Sequence, residues 1–182
     1  MTREEETQFR DAAWRWWKQL QPDSPLRDPG ALARLRRGGL QEAALEPSTA
    51  DLYRVIRPLF HETRDDGYEI AALITAVLAH VRKDAPQLVA RAAGKQGDNP
   101  ARLSPLRFRR ILGARGATDC LIAFRRLVAL LGNTANVGDL AVSLAEWNRE
   151  GAGDRRRRRW AFDYYNAGDA APIARDETQD AA

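Results

Sequence analysis

The stretch SPLRFRRILGARGATDCLIAFRRLVALLG, Ser104 to Gly132, decides the fold. Ser104 offers an N-cap acceptor, and Pro105 a first helical position where a missing N–H leaves nothing unsatisfied. Phe108, Ile111 and Leu112 then recur at helical spacing and predict one helix. After the turn GARG, Thr118 is expected to open a second, with Leu121, Phe124, Val128 and Leu131 on one stripe and Gly132 closing it. Charge follows the same spacing. Arg107 and Arg110 stand at i, i+3 on the outer flank of the first helix, and Arg126 lies nearly opposite the apolar stripe of the second. From Arg102 to Arg126 the chain carries seven arginines against a single acid, Asp119.

The rest of the chain reads the same way. Phe9, Ala13, Trp16, Trp17 and Leu20 form a stripe ended by QPDSP, and Asp28 with Pro29 begins a short helix that Gly38-Gly39 stops. Ser48 and Asp51 resemble a capping box before Leu52, Val55, Ile56 and Leu59, with Pro58 predicting a kink or an early end. Ile70, Ile74, Val77, Leu78 and Val81 make the next stripe, and a shorter helix is expected after Pro86. Val137, Leu140, Leu144 and Trp147 mark a further helix, and the arginine-rich stretch near the end opens the last. No segment alternates with a period of two. The expected fold is all-α, a bundle of about eight or nine helices.

GKQGDNP, Gly94 to Pro100, is the best internal boundary, separating an N-terminal helical part, 1–93, from a basic C-terminal helical part, 101–167. Residues 168–182 read as a disordered acidic tail. The opening stretch MTREEETQFRDAAW has no apolar signal core, no apolar run reaches membrane-spanning length, and a lone Cys120 excludes an internal disulfide. Together these predict a cytoplasmic protein that engages no membrane.

Little here suggests catalysis. His61 and His80 fall on separate predicted helices without a carboxylate at metal-ligand spacing, so no metal is expected. Cys120, near a helix start, has no recognisable base and reads as a structural thiol. GKQG and GARG are too short for a phosphate loop, and the strands that a KH-type clamp needs are missing. No catalytic residue, cofactor or small-molecule substrate is expected.

Arginine remains. Of 29 basic residues only Lys18, Lys83 and Lys95 are lysine, leaving 26 arginines, whose planar five-donor fork suits phosphate. An arginine-favouring base composition would produce the same skew. Besides the block from Arg102 to Arg126, Arg34, Arg36 and Arg37 stand in ALARLRRG, and five arginines run through DRRRRRWAFDYYNAGD, Asp154 to Asp169. Arg155 and Arg156 are expected in a frayed, hydrated helix start. Trp160, Phe162, Tyr164 and Tyr165 are expected to pack, because leaving them in water is costly.

With those residues in view, the chain resembles the CasB family, the small subunit of the type I-E CRISPR Cascade complex. AAWRWWKQL resembles the family's W-rich opening helix, and ALARLRRG its A-x-LRR segment. SPLRFRRILGA, LIAFRRLVALLG, NVGDLAVSLAEWN and RRRWAFDYY resemble its later elements, in the same order. Five consecutive arginines and the polar tail depart from that pattern. The resemblance implies an all-helical, non-enzymatic subunit, present in two copies beside other Cascade subunits. It implies contact with crRNA, target DNA and the displaced DNA strand, holding an R-loop open until a separate helicase-nuclease acts. Carried over by motif, the nucleic-acid contacts are Arg36, Arg37, Arg107, Arg109, Arg110, Arg125, Arg126, Arg157, Arg158 and Arg159. A sequence-independent phosphate track of this kind agrees with the residue reading. The competing expectation is a protein scaffold whose arginines pair with acids of neighbouring subunits.

Overall fold

Ten α-helices account for most of the chain in the computed structural model, which describes residues 1–60 and 66–168. They are α1 (Arg3–Gln19), α2 (Pro29–Arg37), α3 (Leu40–Ala44), α4 (Pro47–Ile56) and α5 (Gly67–Leu78), then α6 (Val89–Ala93), α7 (Pro105–Leu112), α8 (Gly116–Leu130), α9 (Val137–Trp147) and α10 (Ala152–Tyr165). The all-α expectation holds. The additional helix is α3, five residues opened by Gly39 and Glu42, whose carboxylate accepts the Gly39 N–H at 2.8 Å. Two-residue strands, β1 (Lys83–Asp84) and β2 (Thr134–Ala135), pair in parallel and are too short to leave any alternation in sequence.

Local signals placed most helix ends correctly. Asp28 caps α2 by accepting the Ala31 N–H, and Ser104 caps α7 through the Arg107 N–H. Pro58 ends α4 early, in a 3-10 turn over Arg57–Leu59. Gly132, at φ +70°, turns the chain out of α8 in a left-handed conformation that glycine adopts without strain. Two starts differ. Helix α4 begins at Pro47, behind Glu46, which Arg34 holds with two hydrogen bonds of 2.6 and 3.0 Å; the Ser48 hydroxyl is buried without a partner among the described residues. Helix α8 begins at Gly116 rather than Thr118, because the Gly116 N–H reaches Asn148 Oδ1 at 3.0 Å and sets the turn.

Helices α5 and α9 are buried nearly all round, as central helices must be, and pack on each other. Helix α1 lies on α9, α4 and α3 lie on α5, α8 covers another side of α5, and α10 packs on α6 and α9. The buried cluster extends from Phe9 to Tyr164 and takes in all five residues of the first predicted stripe. Tryptophan N–H groups tie the layers: Trp16 donates to the Ser48 carbonyl at 2.7 Å and Trp17 to that of Val81 at 2.9 Å. Val55, assigned to a buried stripe, is exposed, because α4 is covered on one side only. His61 and residues 169–182 of the expected tail lie outside the described residues.

The last helix departs most from expectation. Arg155 is exposed, but Arg156 is neither frayed nor hydrated. Its guanidinium reaches Glu146 at 2.7 Å and Glu6 at 3.6 Å, joining α10 to α9 and α1. Glu6 in turn accepts from Arg10 at 2.6 Å. Burial alone would raise the Glu6 carboxyl, but the Arg10 hydrogen bond and the charges of Arg156 and Arg10 hold it below the usual range. Trp160 and Tyr164 dock as expected, whereas Phe162 and Tyr165 are 59% and 58% exposed. At 100° per residue these two fall on the opposite face from Trp160 and Tyr164.

Candidate nucleic-acid interface

The ten arginines singled out by sequence divide into two sets. Arg36, Arg125 and Arg157 are half-buried and bound internally, all to carbonyls at helix C-termini, where the last turns lack intrahelical donors. Arg36 Nε donates to the Ala79 carbonyl at 2.7 Å. Arg125 joins two helices, donating to Ala76 of α5 at 3.1 Å and Leu35 of α2 at 2.8 Å. Arg157 donates to the Trp147 carbonyl at 2.6 Å and to Asp154, with its guanidinium 5.9 Å from the Trp147 ring centre. A cation at a C-terminus also meets the negative end of the helix dipole.

Arg37, Arg107, Arg109, Arg110, Arg126 and Arg158 are exposed; Arg159 is exposed too and lies 3.3 Å from Asp163. Three of these come together. Arg107 and Arg110 of α7 and Arg126 of α8 line one groove of about 710 Å³ between the two helices. Its apolar lining includes Ile111, Ala123 and Leu127, with Ile122 and Leu130 still 46% and 42% exposed. Asp119 is the one acid among the groove's lining residues. Arg109 is not part of this lining. Helix α7 is positioned from behind: Phe108 stacks on Tyr164 with ring centres 3.9 Å apart, and the Tyr164 hydroxyl donates to the Leu103 carbonyl at 2.6 Å.

His80 lies close to Arg36 and Arg125. Its Nε2 is buried without a partner among the described residues. Burial, then the charges of Arg125 and Arg36, pull its pKa down to about 4. In the unfolded chain the imidazole takes up a proton near pH 6.5, in the folded chain only near 4. Acidification from pH 6.5 towards 4 is therefore expected to lower stability, and His80→Gln to flatten that part of the profile, measured by urea unfolding between pH 7 and 5.

Cys120 is fully buried, and burial pushes its thiol above the ordinary value, as a structural cysteine requires. Among the described residues no three His, Cys, Asp or Glu side chains gather as a metal-binding group, and no helix is long and apolar enough to cross a membrane.

These features define a small all-helical protein whose conspicuous chemistry is arginine on its surface. The family described as CRISPR-associated protein Cse2 matches residues 31–165, which is 135 of the 182, and the chain belongs to that family, the small subunit of the type I-E CRISPR Cascade. No curated protein and no solved structure matches it.

Proposed function

We propose that this subunit binds nucleic acid without sequence preference, through phosphate contacts from Arg107, Arg110 and Arg126, and thereby steadies the R-loop of a crRNA-guided Cascade. The observation that carries the reading is that Arg107, Arg110 and Arg126, from two helices, line one groove whose lining includes a single carboxylate, Asp119. Arginine forks matched to phosphate oxygens need no base reading, which suits an assembly that delegates sequence to guide pairing. Arg37, Arg109, Arg158 and Arg159 extend the exposed charge beyond the groove. Arg36, Arg125 and Arg157 are left out because their donors already serve helix ends. The partners on this reading are crRNA, target DNA and displaced strand, other Cascade subunits and a second copy of the chain, in the cytoplasm. No catalytic role, metal or cofactor is assigned.

A salt titration tests it. Affinity for a single strand is expected to fall with ionic strength at a log–log slope of roughly −0.7 per phosphate contacted. Affinity unchanged between low and high salt would exclude the track. The aliphatic floor at Ile122 and Leu130 favours a second reading, in which the groove receives an acidic segment of a neighbouring subunit.

A further inference from the structure

Helix α10 turns outward a face that combines arginine with exposed aromatic rings. Arg155, Arg158, Arg159, Phe162 and Tyr165 stand at i, i+3, i+4, i+7 and i+10, within about a third of the helical circumference, and all are exposed. The inward face of the same helix carries Trp160, Asp163 and Tyr164, all buried. Two large rings therefore remain in water although the helix has aromatic anchors elsewhere. Tyr165 meets Phe108 and Tyr164 edge to face, with ring centres 6.5 and 5.1 Å away, yet stays 58% exposed.

The stripe carries no aliphatic side chain. Its charge is three arginines; Arg159 lies 3.3 Å from Asp163, and Arg158 stands near enough to Asp154 for its charge to help hold that carboxyl below the usual range. The aromatic end abuts the arginine-bearing helix α7, since the Tyr165 ring centre lies 6.5 Å from that of Phe108, edge to face. Guanidinium groups beside flat, exposed rings bind phosphate and stack bases, and they tolerate any sequence because every base has a π-face. A duplex keeps its bases stacked on one another and cannot offer those faces. An acidic protein segment would also satisfy the arginines and cover the rings, and loss of assembly in the variant below separates that occupant from a strand.

We infer that the outward face of α10 is a stacking platform for an unpaired nucleic-acid strand, with Phe162 and Tyr165 receiving bases and Arg155, Arg158 and Arg159 receiving the adjoining phosphates. This rests on the nucleic-acid reading above and adds a preference for single strands to it.

The test uses the full-length protein and a double variant, Phe162→Leu with Tyr165→Leu, which keeps apolar bulk and removes the ring faces. The probes are a single-stranded DNA, an RNA of the same sequence, the corresponding DNA duplex, and a strand of equal length with abasic sugars. The unaltered protein is expected to hold the base-bearing strands about tenfold more tightly than the abasic one, and the variant to lose that margin equally for DNA and RNA. Duplex affinity and the salt slope stay the same in the variant. Equal affinity of the unaltered protein for base-bearing and abasic strands, with a steep salt slope, would overturn the platform and leave the phosphate track standing. Failure to bind any probe would remove both. A folded variant that binds all four probes normally but no longer joins its partner subunits would overturn the platform in favour of a protein interface.

Discussion

Replacing Arg107, Arg110 and Arg126 together by alanine is expected to weaken nucleic-acid binding on the order of a hundredfold at low salt, nearly equally for all sequences. The fold should tolerate the change. All three side chains are exposed, while their own helices bury Phe108, Ile111, Leu121, Phe124 and Val128, so each substitution is expected within about 0.5 kcal/mol of neutral. Three lost phosphate contacts would flatten the salt slope by roughly 2. Assembly with partner subunits survives on this reading, and the R-loop of the assembled complex shortens in lifetime. A groove built for an acidic partner segment gives the opposite pattern: assembly fails and the free subunit binds nucleic acid as before. Titration and co-purification of one folded triple variant decide between them.

The largest loss of stability is expected at Trp160. It is 2% exposed and packs against Trp147 and Phe124, with ring centres 5.0 and 5.5 Å away, so Trp160→Ala opens a large cavity at the α8–α9–α10 junction. It also strips the buried Ser143 hydroxyl of the indole N–H that reaches it at 3.0 Å. Together these are expected to cost about 3–5 kcal/mol in urea unfolding. Trp160→Phe should restore part of the packing and leave the hydroxyl penalty, separating the two contributions. Equal losses from both variants would show that the hydrogen bond, not the ring volume, secures the helix.

How much of this was legible in the sequence depended on the reach of each signal. Asp28 and Ser104 were readable as caps because capping is settled within one turn. The first stripe was readable because five apolar residues at helical spacing have few alternatives. Helix α3 was not, since five residues are too few to display a period. Arg125 shows the harder limit. Nothing near it in sequence says that the open ends of α2 and α5 will arrive beside its guanidinium, so its role was set by packing across 49 and 90 residues. Arg126 was separable in advance because it lies nearly opposite its apolar stripe, and Arg107 and Arg110 because they share the outer flank of their helix. Phe162 and Tyr165 could have been found by the same angular reasoning. They were misplaced by treating the four aromatics as one cluster, when the helix divides them two and two.

The bonding of Arg36, Arg125 and Arg157 has a consequence for how a polyanion approaches. Each of these cations faces the negative end of a helix, so part of its field is cancelled at the source. The formal charge of +4 sets the attraction at a distance, whereas close to the surface the distribution of that charge decides. Close to the surface, α7, α8 and the outer face of α10 present Arg107, Arg109, Arg110, Arg126, Arg155, Arg158 and Arg159, beside more scattered exposed arginines such as Arg15, Arg37 and Arg54. A particle charged in that manner experiences a torque as well as an attraction, and turns its basic side towards the strand before touching it. Tying those three half-buried cations to helix ends therefore does more than finish the ends: it leaves contact to the exposed arginines and gives the subunit a heading.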